Sequence, residues 1–154
     1  MADLPKYPPA LPKPLIEGYG FSAVSPLMRT DMQSGRAKQR MKYRSTPTQA
    51  GVSWLFRRQE AVLFESWFQG VVGDGATWFE CELQTPMGLS LHKCRFVDIY
   101  DGPTLIAPEY WKFTATLELV KRPIIDGSWA IYYPEALLHG NLIDVAISRE
   151  WPRV

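Results

Sequence analysis

Histidine is nearly absent from this chain of 154 residues, which has only His92 and His139. A Ser or Cys nucleophile needs a neighbouring base, most often histidine, so nucleophilic catalysis is confined to those two places. Cysteine is equally scarce. Cys81 and Cys94 match none of the paired spacings of zinc sites, and in a reducing cytosol they are expected to stay thiols. His92-Lys93-Cys94 puts a ring and a thiol on one strand face, but two ligands without a third do not make a metal centre, and a half-buried strand pair is the better account. His139 stands beside Gly140 in the C-terminal tail and is given no role. The chain has no run of 18 apolar residues and lacks the charged start and apolar stretch of a signal peptide, so no membrane insertion is expected.

Two further arrangements that resemble chemical sites have plainer explanations. Gly73-Asp74-Gly75 leads into a strand and not a helix, so it offers no helix N-terminus to a phosphate and reads as a turn. Glu80 and Glu82 look like an acid/base pair, yet Lys93 and Arg95 stand ready as cross-strand partners that would hold both ionised. No catalytic, cofactor-binding or metal-binding residue is assigned, no cofactor is expected, and the chain reads as a non-enzymatic protein.

What is abundant is aromatic and apolar. Six Trp, seven Tyr and seven Phe within a 46% hydrophobic composition give enough material for a single core. The net charge of +1 hides an uneven distribution, because residues 29–58 carry eight Lys or Arg against one acid, Asp31. Such asymmetry fits self-assembly between unlike patches, contact with nucleic acid, or a solvated basic face.

Six of the 13 prolines (Pro5, Pro8, Pro9, Pro12, Pro14 and Pro26) fall in residues 1–26, where fixed φ and missing N–H groups forbid helix interiors and central strands. Residues 1–35 therefore read as an extended arm, apolar enough to lie on a surface, its own or a neighbour's. Arg36, Lys38, Arg40, Lys42 and Arg44 alternate with other residues, the period of a strand with one basic face. Val52, Trp54 and Phe56 mark a second strand, expected to pair with the first or lie close to it. Ala61, Phe64, Trp67 or Phe68, and Val71 recur at helical spacing, predicting a helix over 58–72 that turns Arg58, Glu65 and Gln69 to water. Residues 77–84 and 90–99 predict a hairpin. A loop of Pro86 to Leu89 would set Glu82 across from Lys93, Glu80 from Arg95 and Cys81 from Cys94. Asp101-Gly102-Pro103 reads as a turn, and residues 110–121 as a closing strand with Phe113, Ala115, Leu117 and Leu119 inward. The expected organisation is an arm (1–35), a β-rich core domain (36–121) and a C-terminal segment (122–154) that is either a second arm or a short docking helix, opened by Pro134 with Leu138, Leu142 and Val145 on one side and weakened by Gly140.

The run Pro8-Pro9-Ala10-Leu11-Pro12-Lys13-Pro14-Leu15, then Gly18-Tyr19, then Arg29-Thr30-Asp31-Met32, then Gly35-Arg36-Ala37-Lys38-Gln39-Arg40 resembles the N-terminal pattern of small tail proteins of long-tailed bacteriophages. The likeness extends more loosely through Trp67-Phe68, Trp78-Phe79 and Cys94-Arg95-Phe96 to about residue 121. It implies a mainly β, α+β fold with one helix: a β-sandwich of the tail-tube or distal-tail kind, with a flanking helix and extended N- and C-terminal arms. It implies a minor tail protein of the virion, assembled in the host cytoplasm, that forms a homo-oligomeric ring, usually six-fold. Its partners would be the tail tube protein and the tail-tip hub proteins, with DNA met only in passage through the channel.

On this reading the subunit contacts are Tyr7, Leu11, Leu15 and Tyr19 of the first arm; Arg36, Lys38, Arg40, Lys42 and Arg44 of the basic strand; and Trp129, Tyr132, Tyr133 and Trp151 of the tail. The alternative is a soluble nucleic-acid-binding module that uses residues 36–44, with Tyr43 and Trp54 as stacking aromatics.

Overall fold

The protein, a computed structural model, is described over residues 3–141. It divides into two compact units, Met1–Arg122 and Pro123–Val154. The first is mainly β with antiparallel sheets: strands β1 (Gly20–Ala23), β2 (Leu27–Thr30), β3 (Lys38–Met41) and β4 (Thr48–Arg57), helix α1 (Arg58–Gly70), then β5 (Phe79–Thr85), β6 (Gly88–Phe96), β7 (Asp101–Ala107) and β8 (Tyr110–Leu119). Six strands form one sheet in the order β1-β4-β8-β6-β5, with β7 also on β8; β2 and β3 make a separate two-stranded sheet. The far edge of β8 is shared, since its Leu117–Leu119 end pairs with β6 and its Tyr110–Thr114 end with β7.

The core follows from alternation. Ala50, Val52, Trp54 and Phe56 of β4 and Phe113, Ala115, Leu117 and Leu119 of β8 are buried on one side, as the period of two requires. Ala61, Phe64, Trp67 and Phe68 of α1 join the same buried cluster. Phe64 lies at its centre, its ring 5.1 Å from Phe56 and Phe113 and 5.3 Å from Trp54. Helix α1 begins where Arg57 N–H donates to Glu60 at 2.8 Å. At its other end the N–H groups of Val71 and Val72 both donate to the Trp67 carbonyl, at 2.9 and 3.2 Å. That widened turn carries Val72 into the core and leaves Val71 half exposed, a correction to the helical spacing read from the sequence.

Three other expectations are corrected. The hairpin register is Glu80↔Lys93 and Cys81↔His92, two residues from the expected one, because Thr85 opposes Gly88 across a loop of only Pro86 and Met87. The Thr85 hydroxyl accepts from Met87 N–H and donates to the Gly88 carbonyl, and Gly88 supplies the positive φ the tight loop needs. The basic strand does not lie beside β4; β3 pairs with β2 (Leu27↔Met41, Met28↔Arg40), while β4 is flanked by β1 and β8. Residues 101–107, read as a turn and its exit, are strand β7. Residues 3–23 lie on the chain's own surface, one of the two places left open for the segment: Tyr7 N–H donates to the Glu80 carbonyl at 2.8 Å, Glu80 N–H to the Pro5 carbonyl at 2.9 Å and Leu15 N–H to the Ser53 carbonyl at 2.7 Å, and β1 extends the main sheet.

In the second unit, α2 (Gly127–Tyr132) is capped by Asp126, whose carboxylate accepts from Ser128 N–H at 2.9 Å, and α3 (Pro134–Leu138) opens on its proline. Sequence periodicity gave no sign of α2, and α3 stops short of Gly140. The expected helix positions Leu142 and Val145 lie outside the described residues, as does Trp151.

Candidate assembly surface

The proposed contact residues fall into three groups. Tyr7 and Leu11 belong to the chain's own core. Leu11 is 4% exposed, and the Tyr7 ring stacks on Trp54 at 6.2 Å and meets Trp67 edge-on at 5.7 Å while its hydroxyl donates to the Pro12 carbonyl. Burial pushes the Tyr7 phenol well above its ordinary pKa. Leu15 and Tyr19 are half-buried, and the Tyr19 hydroxyl donates to the Gln84 carbonyl at 2.8 Å. The extended, proline-rich pattern is the same whether a segment covers its own sheet or a neighbour's, so the sequence left both open and the fold uses the first.

The second group stands out from the core. Every residue of β2 and β3 is exposed, and so are Arg36, Lys42 and Arg44 beside them, with Ala37 the sole partly covered residue between β2 and Met41. One face of this ribbon carries Met28, Thr30, Lys38 and Arg40, the other Leu27, Arg29, Gln39 and Met41. The first face, with Met32 and Gln39, lines a concavity of about 540 Å³, and the Arg40 guanidinium contacts the Met28 sulfur at 3.7 Å. Among the described residues none of Arg36, Lys38, Arg40, Lys42 or Arg44 has a carboxylate partner, whereas Arg29 pairs with Asp31.

The third group is in the second unit. Trp129, Tyr132 and Tyr133 are exposed, and the rings of Trp129 and Tyr133 lie 5.4 Å apart.

The residues weighed for chemistry are placed otherwise. Glu82 pairs with Lys13 at 3.1 Å, and Arg95 turns from the expected Glu80 to Glu118, at 2.7 Å, with its guanidinium 4.5 Å from the Trp78 ring. Cys81 and Cys94 are buried free thiols; a hydrogen bond from Cys94 to Cys81, together with burial, holds the Cys94 thiol above its ordinary pKa and so away from the nucleophilic thiolate. The His92 ring lies 2.9 Å from the Ser90 hydroxyl and burial lowers its pKa, while His139 faces Glu135 at 3.3 Å. Among the described residues no group of three His, Cys, Asp or Glu could hold a metal ion, and no helix is long and apolar enough to cross a membrane.

A surface the sequence reading missed lies on β7. Leu105 is 53% and Ile106 58% exposed, so neither side of this strand is covered, and Ile99 at the preceding corner is exposed as well. Its only sequence signal is a stretch, residues 97–109, that holds Asp98, Asp101 and Glu109 without a Lys or Arg.

Tyr100 links this corner to α1, its hydroxyl 3.1 Å from the Glu65 carboxylate. Burial and that hydrogen bond push its pKa up to about 12. A phenol whose folded pKa exceeds the unfolded one stabilises fully below about pH 10, and that stability is lost as pH rises toward the folded value. Tyr100→Phe is therefore expected to flatten the fall of Tm between pH 9 and 11; an unchanged slope would mean Tyr100 does not couple to alkaline unfolding.

The chain matches no protein-family model and no curated protein sequence.

Proposed function

We propose that this protein is a structural subunit of a bacteriophage tail, a distal-tail or tail-tip ring component that joins the tail tube to the tip hub and leaves a channel for DNA. The observation that carries the reading is the β2–β3 ribbon. A two-stranded sheet is marginally stable in water by itself, and this one buries none of its residues in the chain's own core. Its Leu27, Met28 and Met41 side chains remain exposed beside a row of cations, an arrangement that gains from a protein partner. The phage-tail class rests on the resemblance of residues 8–40 and on a mainly β, antiparallel fold of suitable size, which by itself says nothing of role.

The competing reading, a nucleic-acid-binding module on residues 36–44, draws on the same cations and on Tyr43, which is exposed with the Lys42 ammonium 5.3 Å from its ring. Trp54, the other aromatic such a surface would stack bases on, is buried. Negative-stain electron microscopy of the purified chain tests the proposal. Closed rings with a central opening are expected; a field of single particles at every concentration would count against it.

A further inference from the structure

The ribbon and β7 are unlike patches on one chain, and they complement each other. The ribbon segment 27–44 holds six Lys or Arg and one acid, Asp31, which Arg29 already engages; segment 97–109 holds three acids and no base. Asp98 and Asp101 have no cationic partner among the described residues, and the nearest base in register, Lys112 opposite Thr104, is held by Glu17 at 3.1 Å. Both patches carry exposed apolar side chains: Met28 and Met32 line the ribbon's concavity, and Leu105 and Ile106 of β7 are exposed, with Ile99 just before the strand. Among the described residues strand β7 pairs only with β8, and no other strand lies on its second edge.

We propose that the partner of the ribbon is β7 of a second copy of this chain. Ile106 would enter the concavity that Met28 and Met32 help line, where flexible thioethers adapt to a branched side chain, and Lys38 and Arg40 would meet Asp98 and Asp101. Two different patches make a heterologous contact, which repeats head to tail and closes into a ring when the rotation allows. The inference rests on the assembly reading above and names the surfaces that would perform it.

Charge exchange tests it. Full-length K38E/R40E sets two acids of the ribbon against Asp98 and Asp101, and D98K/D101K sets two bases of the edge against Lys38 and Arg40; each alone is expected to lose the oligomer in sedimentation velocity. In an equimolar mixture, contacts between unlike variants again join opposite charges at these positions, so the wild-type size should return. Because Asp98 also accepts from Ile99 N–H at 2.7 Å, D101K alone, which keeps that bond, is tested in the same mixture. If either double variant assembles by itself, or the mixture with D101K stays monomeric, the contact is overturned while the assembly reading stands. A wild-type chain that is monomeric at every concentration overturns both. If K38E/R40E keeps its mass but loses bound DNA, the ribbon is a nucleic-acid surface and the contact is again wrong.

Discussion

Phe64→Ala is expected to lower the unfolding free energy by about 3–5 kcal/mol, the range for removing a buried aromatic ring from a packed core. Phe64 is fully buried on α1, and six aromatic rings (Trp54, Phe56, Trp67, Phe68, Tyr100 and Phe113) have centroids within 6.3 Å of its own. Those neighbours come from β4, α1, the β6–β7 corner and β8, so the cavity would loosen every layer at once. Rings cannot collapse into the space without leaving their own rotamers, which puts the cost toward the upper end of that range. Against a total stability of about 5–15 kcal/mol for a domain of this kind, the variant would be marginal. Val62→Ala, on the exposed side of the same helix, should change stability by less than about 0.5 kcal/mol. Urea unfolding followed by tryptophan fluorescence compares the two. Equal midpoints would mean that Phe64 does not hold the helix to the sheet.

Excision of the ribbon should have the opposite profile: little loss of stability and complete loss of assembly. The Pro26 carbonyl accepts from the N–H groups of Lys42 and Tyr43, at 2.7 and 3.3 Å, so the two ends of the ribbon already touch. Residues 27–41 can therefore be replaced by a short Gly-Ser link without pulling on β1 or β4, and closing a short flexible loop across touching ends costs little entropy. No buried side chain is lost. The excised protein is expected to unfold within about 1 kcal/mol of the intact chain and to run as a monomer. A large drop in Tm would show the ribbon to be structural, and an unchanged oligomer would place the subunit contact elsewhere.

Much of the fold is legible in the residues, and the gaps have physical causes. Strands β4 and β8 and helix α1 each bury one face, so hydrophobic period alone places Trp54, Phe64, Phe113 and Leu117 inside. The hairpin strands and their faces are legible too, but not their register. A slip of two residues keeps every side chain on its own face, and either register offers opposite charges to Glu80, so charge pairing cannot decide between them. The turn decides, through the Thr85 hydroxyl and Gly88. Strand β7 has no buried face and hence no alternation to read. Prolines at positions 5, 8, 9, 12 and 14 correctly exclude helix, yet they are silent about whose surface the segment covers; in consequence Tyr7 and Leu11 serve this chain's core and are not free for a neighbour. Truncation of residues 1–26, harmless to a detached arm, would here remove β1 and expose Trp54 and Trp67. The basic residues at positions 36–44 are legible as an exposed cationic face, whereas β2 as the strand that pairs with them emerges only from the topology.

The most direct test of assembly as the protein's role is the mass of the purified full-length chain, taken by light scattering at low and high salt together with its 260/280 nm absorbance ratio. A multimer free of nucleic acid is predicted. Added salt should slow its association through the screened charges of Lys38 and Arg40, while the apolar contact keeps it from falling apart. A monomer that carries nucleic acid and sheds it as salt rises would contradict the account, as would a clean monomer under both conditions.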